Sequence, residues 1–291
     1  MTRRARWTVA LGAALAVAAL GGFGAGAAGA ETVYSNLPAS LPANFASFGN
    51  EAYSMAEFGG MIETSSVGHK TQTVSVAMSA WGCQFGAWYN DTCETTKPTK
   101  TFRWPITLHV YEVGPNNSVG ALIGSQTRTF KLPYRPSRSP QCGTGAYSQY
   151  EKGTWYDSKS NACYHGLAFA ITFKKLKLQV RKKEIVTVSY NTSHYGHAPV
   201  GETACNATVA GCYYDSLNVA IAEPSENTLT TGAQPTKSLY LNSTYAAMYC
   251  GGPTPVGTFG PTAPIEGSCA SNSPYETEEN IQPVISVVTT G

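Results

Sequence analysis

Eight cysteines in four close pairs, all downstream of an apolar leader, constrain this chain more than any other feature. The pairs are Cys83/Cys93, Cys142/Cys163, Cys205/Cys212 and Cys250/Cys269. Ahead of them, Arg3, Arg4 and Arg6 precede an apolar run from Trp7 to Ala28. Ala28-Gly29-Ala30 then has the small-x-small form of a signal-peptidase site. Residues 1–30 are expected to be a removable signal peptide, and residues 31–291 a secreted, extracellular product. An even cysteine count in an exported chain implies a disulfide framework. Roughly a hundred connectivities exist for eight cysteines. Sequential pairing is favoured because each pair brackets one Gly/Tyr/Asn-rich insertion.

The leader also settles the charge. Three of the 20 Lys and Arg residues lie in it, so the remainder sets seventeen basic against 18 acidic side chains. A nearly neutral chain has no global attraction to nucleic acid. Only 13% of residues are charged, and Glu/Lys/Arg pairs at helical spacing are scarce, which disfavours long helices. Tyr, Thr, Val and Gly suit strands and turns instead. After the leader, no apolar stretch approaches the roughly 20 residues of a membrane-spanning helix. Pro283 to Gly291 shows no sorting signal, so release or non-covalent retention is expected.

Period-two alternation recurs along the chain. It runs through Val74, Val76 and Met78; Ile106, Leu108 and Val110; and Leu167, Phe169, Ile171 and Phe173. It returns at Val186, Val188 and Tyr190, at Leu217, Val219 and Ile221, and at Ile285 and Val287. Each run is short and flanked by turn residues, as in sandwich strands. The expected fold is all-β: one antiparallel, jelly-roll-like β-sandwich over residues 31–291, with long disulfide-stapled loops. From about residue 224 the chain reads as loop-rich, with a final strand over 283–289.

Two cysteine-bracketed loops echo each other, Gly86-Ala87-Trp88-Tyr89-Asn90-Asp91 and Gly153-Thr154-Trp155-Tyr156-Asp157. A third ends Cys212-Tyr213-Tyr214-Asp215, and together these loops hold every aspartate of the chain. Aromatic faces stack on the C–H faces of sugars, and carboxylates bind the hydroxyls. The candidate ligand contacts are therefore Trp88, Tyr89, Asp91, Trp155, Tyr156, Asp157, Tyr214 and Asp215. The same residues also suit a plainer role, with indoles shielding cystines and Asp-Ser or Asp-Thr opening Asx-turns.

Catalytic signatures are absent. There is no G-x-S-x-G elbow, no P-loop, no G-x-G-x-x-G and no C-x-x-C. His194-Tyr195-Gly196-His197 carries a glycine and precedes Ala198-Pro199, so it reads as a loop rather than a helical metal motif. His165 and His69 are two further histidines whose approach in space the sequence leaves open. A glycosidase needs two carboxylates at a set separation, for which Glu151 with Asp157, or Asp91 with Asp215, are the available pairs. No cofactor is expected. A calcium-supported loop is the alternative, although hard cations need several oxygen ligands and carboxylates are sparse. The basic cluster Lys174 to Lys183 reads as a solvated strand and turn that discourages edge pairing, or as a contact for anionic polymer or lipid headgroups.

Several segments resemble a loosely defined group of secreted bacterial surface proteins. They are Tyr34-Ser35-Asn36-Leu37-Pro38, Leu41-Pro42-Ala43-Asn44, Glu57-Phe58-Gly59-Gly60 and Val74 to Cys83. Trp104 to Tyr111, Pro133-Tyr134-Arg135-Pro136 and Tyr190 to Gly196 continue the resemblance. It implies a jelly-roll-like β-sandwich and an extracellular address, and brings no catalytic residues.

The expected function is a non-catalytic binding or surface-associated protein that contacts polysaccharide or cell-wall glycan. Its alternatives are an extracellular glycan-active hydrolase or lyase using Asp, Glu and His of the same loops, and a structural or protein-binding exoprotein.

Overall fold

Apolar residues at every second position give each strand one face to bury, and two such sheets close on each other. A computed structural model describes residues 29–50, 55–88, 91–191, 217–222, 229–235, 239–244, 246–249, 254–262 and 281–290. The expected signal peptide, residues 1–30, lies almost wholly outside these residues. So do Tyr89, Tyr214, Asp215, the His194–His197 motif, Cys205, Cys212, Cys250 and Cys269.

One sheet runs β1 (Glu31–Ser35), β15 (Ile285–Thr290), β3 (Lys70–Ala80) and β10 (Leu217–Val219). β8 (Leu167–Lys174) pairs with β3 as well, completing five strands. Among the described residues the other sheet has six strands. Its order is β13 (Gly260–Pro261), β12 (Leu239–Ser243), β2 (Met55–Glu63), β9 (Lys183–Ser189), β4 (Thr101–Val113) and β5 (Val119–Pro133). Two small ribbons complete the fold, β11 (Ile221–Ala222) with β14 (Gln282–Pro283), and β6 (Trp155–Asp157) with β7 (Ala162–Tyr164). Every pairing is antiparallel. The expected antiparallel β-sandwich is the fold.

The main core is built from both sheets: Val74, Val76, Met78, Ile171, Phe173 and Val287 from one, and Phe58, Ile62, Ile106, Leu108, Val110, Val186 and Val188 from the other. Each such side chain contributes roughly 1.5–3 kcal/mol on burial. The alternation is plain on β4, where Ile106, Leu108 and Val110 are buried and Thr107, His109 and Tyr111 turn outward. Pro105 interrupts that strand without cost to the ladder with β9, which begins only at Thr107 opposite Ser189. A second, smaller cluster covers the outer face of the six-stranded sheet. It joins Met61, Ile185 and Tyr240 to Tyr111, Val113, Val119 and Phe259. Gly59 lies on that face, where a Cβ would come 2.1 Å from the Val186 carbonyl oxygen.

The antiparallel register gives the sandwich two distinct ends. Ala80 stands opposite Leu167 at one end of the β3–β8 pair, and Thr73 opposite Lys174 towards the other. His165 precedes β8 at the first end and His69 precedes β3 at the second, so these two histidines do not meet. β12 lies inside the six-stranded sheet, between β2 and β13. The region past residue 224 therefore supplies an interior strand as well as loops, and its last strand is Ile285–Thr290.

Candidate functional site

The end where β3 stops and β8 starts carries a cap, made by residues 81–88, 91–100 and 134–166. Two cystines tie it together, Cys83–Cys93 and Cys142–Cys163, as sequential pairing requires. Cross-links of this span restrict the unfolded chain by about 3 kcal/mol each, which offsets the entropy of ordering such long loops.

Inside the first loop, Phe85 and Glu94 exchange backbone hydrogen bonds, and Ala87 N donates to Thr92 Oγ1 at 3.0 Å. Gly86 turns there with φ +71, where a Cβ would come 2.1 Å from the Thr92 carbonyl oxygen. In the second loop, β6 and β7 form a hairpin with Tyr156 opposite Cys163. Asp157 Oδ2 closes it, accepting from Ser160 N at 2.9 Å and Ser160 Oγ at 2.7 Å. These bonds hold the Asp157 carboxyl below its ordinary pKa.

The two loops lie side by side. A Cβ on Gly153 would come 2.6 Å from the Trp88 carbonyl oxygen, and Arg138 N donates to Cys93 O at 3.0 Å. Asp91 pairs with Arg138 at 3.4 Å. Beneath them Arg135 is fully buried and fastens both loops to the sandwich. Its backbone N donates to Gly82 O, its Nη2 to Gly153 O at 2.5 Å and its Nε to Pro136 O at 3.2 Å. Burial lowers the guanidinium pKa to about 10, which still leaves it charged at neutral pH.

Three rings meet above this clamp. The His165 imidazole stacks on Trp81 at 5.2 Å, and Trp88 sets its edge against both, at 4.8 Å from Trp81 and 5.4 Å from His165. Trp81 is oriented by a relay in which its Nε1 donates to Ser79 Oγ, and Ser79 Oγ to Asn44 Oδ1. His165 Nε2 lies 3.0 Å from Glu151 Oε2. Burial lowers the His165 pKa and Arg135 adds to that effect, while Glu151 opposes it.

The second loop also carries a polar aromatic ridge. Tyr147 and Tyr156 both donate to Asn161 Oδ1, at 2.5 and 2.8 Å, and their rings lie edge to face at 5.2 Å. Tyr150 flanks Tyr147 at 6.3 Å. Asn161 is exposed, and the three tyrosines are half-buried.

The predicted contacts separate by environment. Trp88 and Tyr156 keep accessible surface, whereas Trp155 is buried and its Nε1 donates to Gly166 O at 2.7 Å. Trp155 thus packs beneath the cap and offers no stacking face. Asp91 and Asp157 have intramolecular partners. Sequence reasoning missed Trp81, Tyr147, Asn161 and Arg135; the aromatic spacing in Tyr147-Ser148-Gln149-Tyr150 was the available signal for one of them.

It also missed a carboxylate cluster on the outer face of the six-stranded sheet. Glu57 Oε1 accepts from Tyr111 Oη at 3.0 Å and from Thr187 Oγ1, and His109 Nδ1 lies 3.1 Å away. Burial works to raise the Glu57 pKa, but these donors outweigh it and lower the value. Among the described residues no group of three or more His, Cys, Asp or Glu is placed to hold a metal ion. Among them, too, no helix is long and apolar enough to cross a membrane. No family model matches this chain, and neither a curated protein nor a solved structure is significantly similar to it.

Proposed function

We propose that this is an exported, non-catalytic protein whose disulfide-tied cap binds glycan. The observation that carries the reading is the juxtaposition of the two stapled loops. It brings the Trp81–His165–Trp88 stack and the Tyr147/Tyr150/Tyr156 ridge onto one end of the sandwich. Sugar recognition wants a few aromatic faces with fixed hydroxyl and amide groups beside them and little formal charge. Trp88 and Tyr156 supply the faces; Tyr147 and Asn161 supply the polar groups, already oriented by their mutual hydrogen bonds. Because cystines and the Arg135 clamp order the cap in advance, less entropy is lost on binding.

Catalysis has weaker support. Glu151 faces His165, Asp157 already accepts two bonds from Ser160 and Asp91 pairs with Arg138, so these carboxylates are each engaged with a different partner. The disulfides fit an extracellular address.

The test is retention of the full chain on a panel of immobilised polysaccharides, comparing wild type with Trp88→Ala and Tyr156→Ala. Each substitution is expected to weaken retention about tenfold, equivalent to about 1.4 kcal/mol, with the melting temperature nearly unchanged. Unchanged retention in both variants, or no retention of wild type on any polysaccharide, would sink the reading. Trp155→Phe serves as the internal control, shifting stability and leaving retention alone.

A further inference from the structure

The end of the sandwich opposite the cap carries charge of a different kind. The segment after β8, Lys174-Lys175-Leu176-Lys177-Leu178-Gln179, does not turn away as an ordinary loop. Lys175 N donates to Gln72 O at 2.8 Å, Lys177 N to Thr71 O at 2.8 Å, and Thr71 N to Leu178 O at 2.7 Å. Lys70 pairs with Gln179 across the same stretch. Lys175 and Lys177 both adopt positive φ, at +62 and +59. Side chains other than Gly, Asn and Asp seldom accept that region, and such strain persists only where its surroundings impose it.

The result is a sorting of side chains. Leu176 and Leu178 pack against the core, and Lys174, Lys175 and Lys177 all stand exposed. The basic cluster read from the sequence therefore divides in two. Arg181 pairs with Glu112 at 2.9 Å, Lys182 with Glu63 at 3.1 Å, and Lys183 with Glu63 at 3.9 Å. Lys70, Lys174, Lys175 and Lys177 take part in no ion pair among the described residues. Arg128, exposed on β5, has none either. Gln126, two residues before it, donates to the Lys174 carbonyl oxygen at 3.2 Å, which holds β5 beside the lysines.

From this we infer a second binding surface, at which Lys70, Lys174, Lys175 and Lys177 dock an anionic polysaccharide carrying carboxylate or phosphate groups along its length. Closely spaced lysines that repel one another, held outward on a rigid and strained backbone, match a polymer with repeated negative charge. Lipid headgroups fit less well. The two leucines that would enter a bilayer face inward, leaving Val67 of the neighbouring turn as the exposed apolar side chain there. The surface lies at the far end from the cap and does not depend on what the cap binds.

The probe is immobilised polygalacturonate, with uncharged dextran as control. Wild type should be retained at about 50 mM salt and lose roughly tenfold in affinity by about 200 mM, as contacts of this sort are screened. A triple variant, Lys174→Gln with Lys175→Asn and Lys177→Asn, should lose at least tenfold at low salt. Asparagine tolerates positive φ, so the melting temperature should hold. Replacing the same three lysines with arginine should preserve retention.

A triple variant that binds as wild type does, or wild type that ignores polygalacturonate, overturns the inference. Preferential binding to anionic phosphatidylserine vesicles overturns it in favour of a membrane surface. A triple variant that keeps its affinity yet aggregates assigns the lysines to guarding the sheet edges instead.

Discussion

The two ends of the sandwich solve the same problem by opposite means. Connections leave the sheets at both, long at the cap and short at the lysine end (residues 64–69 and 175–182), and each must be ordered against the entropy of a free loop. At the cap this is done with two cystines, a buried guanidinium and interlocking rings. At the lysine end no described cystine is present, and short backbone bonds between residues 68–72 and 175–180 do the work, with two lysines in the left-handed region. Cross-linking frees the cap from any need for strict strand geometry, so its surface can be irregular and aromatic. Backbone pairing leaves the lysine end flat and charged. On the function and the second surface proposed above, the two ends take separate ligands, uncharged glycan faces at one and repeated negative charge at the other.

The sharpest way to break this contrast is to remove a cystine. Replacing Cys142 and Cys163 together by alanine opens a loop of 21 residues and should lower unfolding free energy by about 3 kcal/mol. The Cys83/Cys93 pair, spanning 10 residues, should cost slightly less. Hydrogen exchange should show lost protection across the cap and none at residues 68–72 or 175–180. Losses spread evenly over both ends would mean that the cap is an integral part of the core.

The lysine end holds a buried carboxyl whose ionisation costs stability. Glu184 is buried, accepts from Arg181 N at 2.8 Å and has its pKa raised by desolvation to about 7. In the unfolded chain the same carboxyl ionises near the model value of 4.5. Between those values the native state binds the extra proton, so stability falls as pH rises from about 4.5 to about 7. Glu184→Gln keeps an acceptor for Arg181 N and removes the cost of ionisation. It should match wild type near pH 4 and exceed it at pH 8, by on the order of 2 kcal/mol, in urea midpoints measured at both. Equal midpoints at pH 8 would contradict this account of Glu184.

Much of the sandwich is legible in the sequence, because burial on one face writes itself as alternation. The strands around Val76, Leu108, Ile171 and Val188 are examples. β12 is not legible: Leu239, Tyr240 and Leu241 are all buried, the first and third in the main core and Tyr240 in the outer cluster, so the two-residue period vanishes. The cap is legible in part. Trp88 and Trp155 sit in matching sequence contexts, yet Trp155 is sealed by its bond to Gly166 while Trp88 rests edge-on above His165. That distinction belongs to the packing of one loop on the other. The Glu57–His109 contact lies further from reach, since it joins β2 to β4 across β9 and only sheet register brings the two together.

The smallest expected effect probes the cap from the opposite side of the pH scale. His165 is held below its ordinary pKa, chiefly by burial. The unfolded histidine titrates near 6.5, so below about that pH the unfolded chain takes up a proton that the native cap refuses. Cap stability therefore declines as pH falls from about 6.5 towards the native pKa. Acid should loosen the cap over the same interval in which it tightens the lysine end through Glu184. His165→Phe preserves the ring contacts with Trp81 and Trp88 and abolishes the titration. In that variant, exchange protection of residues 81–88 and 151–166 should become flat between pH 5 and pH 7, with the Glu184 slope at the other end unaltered. If the slope in the cap survives the substitution, another group is responsible, and the stack of His165 on Trp81 is packing without a titratable role.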